Sequence, residues 1–278
     1  MKLISFTRAG TASYGIVVDG AVIDVGARAT SATLAEALAD PDALVRYADS
    51  TPDFALGDVT LLPPIPDSRR IICVGLNYKT HIAETGRDTP EYPMLFPRYP
   101  ESLVAHDASL IRPKASERFD FEGELAFVIG RPGRHIKPEA AMAHVAGYAC
   151  LNDGSLRDYQ RHTTQFLPGK NFAGSGSFGP WLVTPDEVGD LGAQTIETRL
   201  NGERMQYATL DDLLFGVEDL IAYMSTIWTL QPGDVVATGT AGGVGLFRDP
   251  PLWMKQGDRI EVEISNVGLL ANDIEDEA

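Results

Sequence analysis

Apolar positions along this chain come in short runs broken by glycine and proline, with one long stripe of helical spacing. KLISF (2–6), YGIVVDG (14–20) and AVIDVG (21–26) are β runs split by glycine-bearing turns, which predicts a meander or hairpins. Residues 30–50, TSATLAEALADPDALVRYADS, have helical periodicity instead. Pro63, Pro64 and Pro66 then cluster, the clearest boundary in the chain. It predicts a small N-terminal domain over residues 1–64 and a larger domain over 65–278.

The larger part alternates strands with Gly/Pro loops. RIICVGL, FDFEGELAFVIG, GYACLND, PWLVT, TIETRLNG, DVVATGT and DRIEVEIS read as strands, and HIAETG as the end of a short helix. In LDDLLFGVEDLIAYMSTIWTLQPGD, Leu213, Val217, Leu220, Ile221, Met224 and Trp228 share one face and the pattern stops before Pro232. That stripe predicts a core-facing helix. The strands are not separated by regular helices, so the expected class is α+β, a mixed β-sandwich roll or barrel-like fold, and not a doubly wound sheet.

The length, 278 residues, allows one or two domains and a core that needs no disulfide or metal. A balance of 23 basic to 39 acidic residues gives −16, which repels nucleic acid and anionic lipid. Neither is expected as a partner, although a local cluster of cations still permits an anionic substrate. Cys73 and Cys150 lie in apolar runs and predict buried, inert thiols suited to a reducing compartment. MKLISFTRAG has no signal-peptide pattern and no run is long enough to span a bilayer, so the expected location is cytoplasmic.

The chemistry concentrates in four segments. Read as a strand, FDFEGELAFVIG places Phe119, Phe121, Leu125, Phe127 and Ile129 on one face and Asp120, Glu122 and Glu124 on the other. Glu122 and Glu124 would stand about 6.5–7 Å apart. Like charges on an otherwise apolar strand call for a cation, and a hard divalent ion is one answer; a solvated acidic edge is the other. Asp153 follows an apolar run at a strand end, as a third ligand or as a turn or cap residue. Three carboxylates would suit Mg²⁺ or Mn²⁺ better than zinc, for which the five histidines lack the spacing. His81 and Glu84, three apart on a helix, make either a water-activating base or a surface contact. Lys170, in a glycine-rich aromatic stretch, could hold an oxyanion or move a proton, or be a loop lysine. Gly174, Gly176 and Gly179 spell G-x-G-x-x-G, but Pro180 and a strand follow, so no dinucleotide loop is read. Arg157 or Arg161 could bind an anionic substrate tail.

The order of these segments resembles the fumarylacetoacetate hydrolase family. GLNYKTHIAE, FPRYPESLV, DFEGELAFVIG, GYACLNDGSLRDYQ, GKNFAGSGSFGPWLVT and TLQPGDVVATGTAGGVG carry the resemblance across residues 67–268. It implies a homodimer and a divalent ion, Mg²⁺ or Mn²⁺, on Glu122, Glu124 and Asp153. It implies a water-activating dyad of His81 and Glu84 on a mobile lid, and Lys170 and Gln160 facing the substrate. Thr240 would stand near the substrate carboxylate. Arg98 takes the place of a common lysine and Glu101 that of a serine, departures that fall in the substrate-tail pocket. The implied substrate is a small 2-oxo acid that chelates the ion. The first expectation is an acylpyruvase-type C–C hydrolase. An oxaloacetate-type decarboxylase or a 2-hydroxyhepta-2,4-diene-1,7-dioate-type isomerase is the alternative on the same ion. A metal-binding but catalytically idle regulatory protein is a third, non-enzymatic reading.

Overall fold

Period-two alternation organises the centre of the molecule. In the strand Gly123–Ile129 the side chains of Leu125, Phe127 and Ile129 enter one core, and Ala126 and Val128 enter another on the opposite face. A strand apolar on both faces has to lie inside a sheet covered on both sides. A computed structural model describes residues 1–278, apart from the side chains of residues 41 and 43, and shows that arrangement.

The strand sits in a twelve-stranded mixed sheet. From one edge the order is Phe54–Ala55, Ala21–Asp24, Thr11–Val18, Lys2–Arg8, Gly176–Val183, Val145–Asn152, Gly123–Ile129, Val235–Thr240, Ile71–Gly75 and Met94–Arg98, with two short strands pairing off this path. Most neighbours are antiparallel, but Val235–Thr240 runs parallel to Ile71–Gly75. A five-stranded sheet of Glu203–Thr209, Thr195–Leu200, Arg259–Ile264, Gly268–Asp276 and Leu110–Arg112 packs on one face. There Ile196, Val262, Ile264 and Leu270 meet Leu125, Phe127 and Cys150. Leu220, Ile221 and Met224 of the helix Val217–Ile227 complete that core. The class is therefore α+β and mostly sheet. Among the described residues neither large sheet closes on itself, so the barrel-like form is not adopted.

Three details differ from the sequence reading. The acidic strand is broken: Phe119–Asp120 pairs with Ser155–Leu156, and the long-sheet strand starts only at Gly123. The cause is local, since the Glu122 N–H turns to the Asn152 side chain. The stretch 30–50 yields two short helices, Leu34–Ala37 and Pro41–Val45, because the chain restarts at a proline in the first helical turn. Leu213 and Trp228 lie outside the helix Val217–Ile227, which begins after Gly216. The N-terminal meander joins the long sheet directly, through Lys2↔Val183 and Leu3↔Leu182.

The topology also sets the place of the chemistry. Gly123–Ile129 begins where its antiparallel neighbours Val145–Asn152 and Val235–Thr240 end, and Ile71–Gly75 ends beside them. Four adjacent central strands therefore deliver their terminal residues to one end of the sheet.

Candidate metal centre and its pocket

Glu122, Glu124 and Asp153 meet at that end. All three are buried, and each offers a carboxylate oxygen within 4.8 Å of the others'. The Asp153 N–H donates to the Glu122 carbonyl at 2.8 Å, which locks the end of one strand to the approach of the next.

Cations reach two of these acids. Lys170 Nζ lies 2.6 Å from both Glu122 Oε2 and Asp153 Oδ2. Arg157 donates from Nη1 to Glu122 Oε1 at 2.6 Å and from Nε to Asp120 Oδ2 at 2.7 Å. Arg98 donates to Asp153 Oδ1 at 2.6 Å. Burial works against Glu122 ionising, but Lys170 and Arg157 outweigh it and hold the carboxyl at about 2. Burial likewise opposes the charge on Lys170, and Asp153 and Glu122 more than offset it, so the ammonium stays charged.

Glu124 is different. It is 2% exposed, and Oε2 accepts the Gly239 N–H at 2.8 Å, but no cation pairs with it among the described residues. Burial, followed by the facing charges of Asp153 and Glu122, pushes its carboxyl well above the usual range. Four carboxylates here, with Asp120, face three cations. A divalent ion would supply the missing positive charge. The donor set is all oxygen, which fits Mg²⁺ or Mn²⁺.

His81 stands over this centre on the short helix Lys79–Thr85, reached from the strand Ile71–Gly75 through Leu76, whose φ of +54° is left-handed. Glu84 Oε2 lies 2.9 Å from His81 Nδ1, and its other oxygen accepts the Gly243 N–H at 2.8 Å. The carboxylate thereby fixes the ring and leaves Nε2 as the working nitrogen. His81 lines a cavity of about 80 Å³ together with Glu122, Glu124, Lys170, Gln160 and Thr240.

The remaining residues singled out from the sequence divide by what their polar atoms already do. Arg98 is 1% exposed, and its Nε, Nη1 and Nη2 donate to Ser102, Asp153, Gly154 and Ser175. Those bonds use all five of its N–H groups, so it braces Asp153 from behind and has no donor left for a substrate tail. Arg157 is mostly spent on Asp120 and Glu122, although its buried Nη2 has no partner. The Thr240 hydroxyl donates to the Gly123 carbonyl and accepts from Gln206, so it is already committed. Gln160 gives its Oε1 to Arg157 at 3.0 Å and keeps its amide N–H₂ for the cavity.

Of the further contributors, Asn77 and Arg87 carry no signal in the sequence, whereas Asp120 reads there as a neighbour of the metal-type acids and Arg161 as a candidate for the substrate tail. Asp120 is an anchor, held by the N–H groups of Gly245 and Leu246 as well as by Arg157. Asn77, fully buried, bonds Thr238 and Phe215 and pins the loop ahead of the His81 helix. Arg87 and Arg161 line the cavity and have no ion-pair partner among the described residues. Cys73, beneath the centre, is a buried thiol pushed up by burial and then by Asp153 and Glu124, hence inert.

The family model of the fumarylacetoacetate (FAA) hydrolase C-terminal domain matches residues 70–275. The chain belongs to the fumarylacetoacetate hydrolase family. It is an enzyme of that family. It is 42% identical over 217 residues to the rat (Rattus norvegicus) oxaloacetate tautomerase Fahd2a, mitochondrial, covering 78% of this chain and 69% of the relative. Among solved structures it resembles the fumarylacetoacetate hydrolase of psychrophilic Exiguobacterium antarcticum, with a TM-score of 0.84, 36% identity and 100% coverage of both chains. It also resembles the maleylpyruvate hydrolase of Sphingobium sp. SYK-6 in complex with manganese(II) and pyruvate, with a TM-score of 0.83, 27% identity and 100% coverage of both chains. The family likeness covers the segment in which the acidic triad, Lys170 and the His81–Glu84 pair lie. No helix among the described residues is long and apolar enough to cross a membrane.

Proposed function

We propose that this family member is a divalent-metal-dependent tautomerase of a compact 2-oxo diacid of the oxaloacetate type. The observation that carries the proposal is the pairing of an acidic metal-type triad with a carboxylate-oriented histidine over a small cavity. The cavity, of about 80 Å³, is lined together by Glu122, Glu124, His81, Lys170 and Gln160, so a small acid bound there meets all of them at once. The relative named oxaloacetate tautomerase supports the same substrate class.

A metal ion held by Glu122, Glu124 and Asp153 would supply Lewis-acid stabilisation of negative charge on a keto oxygen. The chain's own residues do the rest. His81, oriented by Glu84, takes or returns the proton at the carbon beside the keto group. Lys170 and Arg157 keep Glu122 ionised, whereas Glu124 gives up its proton when an ion binds. Gln160 presents its amide N–H₂ to the substrate. Arg87 and Arg161 supply the charge that a distal carboxylate needs in so acidic a protein.

C–C hydrolysis of an acylpyruvate-type 2,4-dioxo acid is the second reading. It is favoured by the same His81–Glu84 pair, which is suited to activating water, and by the likeness to a maleylpyruvate hydrolase. The purified protein, loaded with Mn²⁺, is assayed against oxaloacetate and a panel of 2,4-dioxo acids in deuterium oxide. Tautomerisation exchanges carbon-bound hydrogen with the skeleton intact, hydrolysis adds water, and decarboxylation loses CO₂. Hydrolysis of the dioxo acids with no acceleration of enol–keto interconversion would reverse the order of the two readings.

The substrate class gives a prediction of its own. Arg87→Ala and Arg161→Ala should raise KM for the diacid about tenfold each, the worth of one charge-assisted contact. A monoacid analogue should be unaffected. Equal losses for both acids would remove the distal-carboxylate assignment.

A further inference from the structure

Gln206 has no place in the chemistry described so far, yet it is 3% exposed and every hydrogen-bonding position on its amide nitrogen is engaged within the site. It lies on Glu203–Thr209, a strand of the five-stranded sheet, and reaches across to the long sheet. Its Oε1 accepts the Gly123 N–H at 3.0 Å. Its Nε2 donates to Thr240 Oγ1 and to the Ala241 carbonyl, both at 2.7 Å. Thr240 Oγ1 closes the ring by donating to the Gly123 carbonyl at 2.9 Å.

The Gly123 N–H belongs to the peptide that joins it to Glu122, and its carbonyl belongs to the peptide that joins it to Glu124. The ring therefore grips both peptide units between two of the three acids. Gly123 makes this close approach possible: a Cβ there would lie 2.0 Å from Thr198 Oγ1 of the second sheet. The other end of the ring is anchored beside Gly239, whose N–H binds Glu124 Oε2.

We infer that Gln206 is a positioning residue for the metal centre, setting the separation and aim of Glu122 and Glu124 through the backbone between them. The inference rests on the reading that Glu122, Glu124 and Asp153 hold a divalent ion. If Gln206 served packing alone, its loss would lower stability and leave ion binding as it was.

The test is a double-mutant cycle on Mn²⁺ affinity, measured by titration calorimetry on the full chain without substrate. Gln206→Met keeps the length of the side chain and removes its hydrogen bonds. Thr240→Val breaks the same ring from the other side with a residue suited to a strand. Each should weaken Mn²⁺ binding about tenfold, the lower end for a residue that orients a ligand. The double variant should be no more than about threefold weaker than either single variant, because both break one ring. Unchanged affinity in the single variants, or losses that multiply, would overturn the inference. If Gln206→Met does not fold, Thr240→Val decides alone: a tenfold loss supports the ring and wild-type affinity overturns it. Absence of Mn²⁺ binding by the wild-type protein would overturn the metal reading itself, and the inference with it.

Discussion

Glu124→Gln should lose Mn²⁺ affinity by more than about 100-fold, since residues that merely orient ligands already cost 10–100-fold. Turnover should fall about 10³-fold or more, the several kcal/mol that a Lewis acid contributes to a developing negative charge. The metal-free variant, in contrast, should be more stable than the metal-free wild type. Glu122 and Asp153 have Lys170, Arg157 and Arg98 beside them, whereas Glu124 has only a backbone N–H. An amide in its place is neutral at every pH, so the cost of keeping a carboxyl protonated inside the fold disappears, and the bond to Gly239 is kept.

The pH dependence follows from the same group. Its folded carboxyl is raised above the ordinary value of 4.5 by burial and by its acidic neighbours. Above 4.5 the folded state therefore holds a proton that the unfolded state has released. The stability contributed by Glu124 to the metal-free protein thus declines as pH rises from there through the raised folded value. Glutamine at this position should remove that decline. Metal binding has the opposite slope, because the ion displaces the proton: affinity should climb up to tenfold per pH unit until Glu124 ionises unaided. Thermal unfolding and Mn²⁺ titration across pH 5–9 measure both trends. An apo-protein destabilised by Glu124→Gln, or an Mn²⁺ affinity indifferent to pH, would contradict this picture.

His81→Ala should reduce kcat by about 10²–10⁴-fold, the range for loss of a general acid or base. Its Mn²⁺ affinity should remain within about threefold of wild type, because the ring belongs to the short helix over the cavity and not to the acidic cradle. Glu84→Gln should fall between wild type and His81→Ala. It weakens the ring's orientation and basicity while leaving a neutral partner near Nδ1 and an acceptor for the Gly243 N–H. Single-turnover kinetics on Mn²⁺-saturated protein separate this loss from a binding defect. Retention of more than about a tenth of wild-type kcat by His81→Ala would remove the proton-transfer role.

Much of the centre was legible before any coordinates, for a physical reason. Strand alternation and strand ends are local properties, and they place Glu124 and Asp153; Glu122 stands just before the strand proper and is tied there through Asn152 and Asp153. The His81–Glu84 pair is likewise one turn of helix apart. The illegible parts depend on pairings between distant segments. Arg98 meets Asp153 across 55 positions, and that contact turns an expected tail-binding residue into a brace. Asp120 looked like a companion of the metal acids, but the chain leaves its ladder near Glu122 and delivers Asp120 to Arg157 and to the N–H groups of Gly245 and Leu246. Gln206 reaches Gly123 from 83 positions away, and nothing in ERMQYAT announces it. The fold behaved the same way: single strands were readable from their pattern, whereas the joining of the N-terminal meander to the long sheet depends on a pairing with residues near 183.

On the proposed metal reading, the surplus of one carboxylate over the cations of the centre would make ion and substrate mutually dependent ligands. With the ion absent, Glu124 keeps its proton and the cradle offers a dianionic keto acid no net positive charge; with the ion present, the same cradle would be attractive. Thermodynamic linkage requires the help to be reciprocal, so the acid strengthens the hold on the ion by the factor by which the ion strengthens the hold on the acid. A cell short of divalent cation would therefore see this enzyme's apparent appetite for substrate fall before the protein itself was lost.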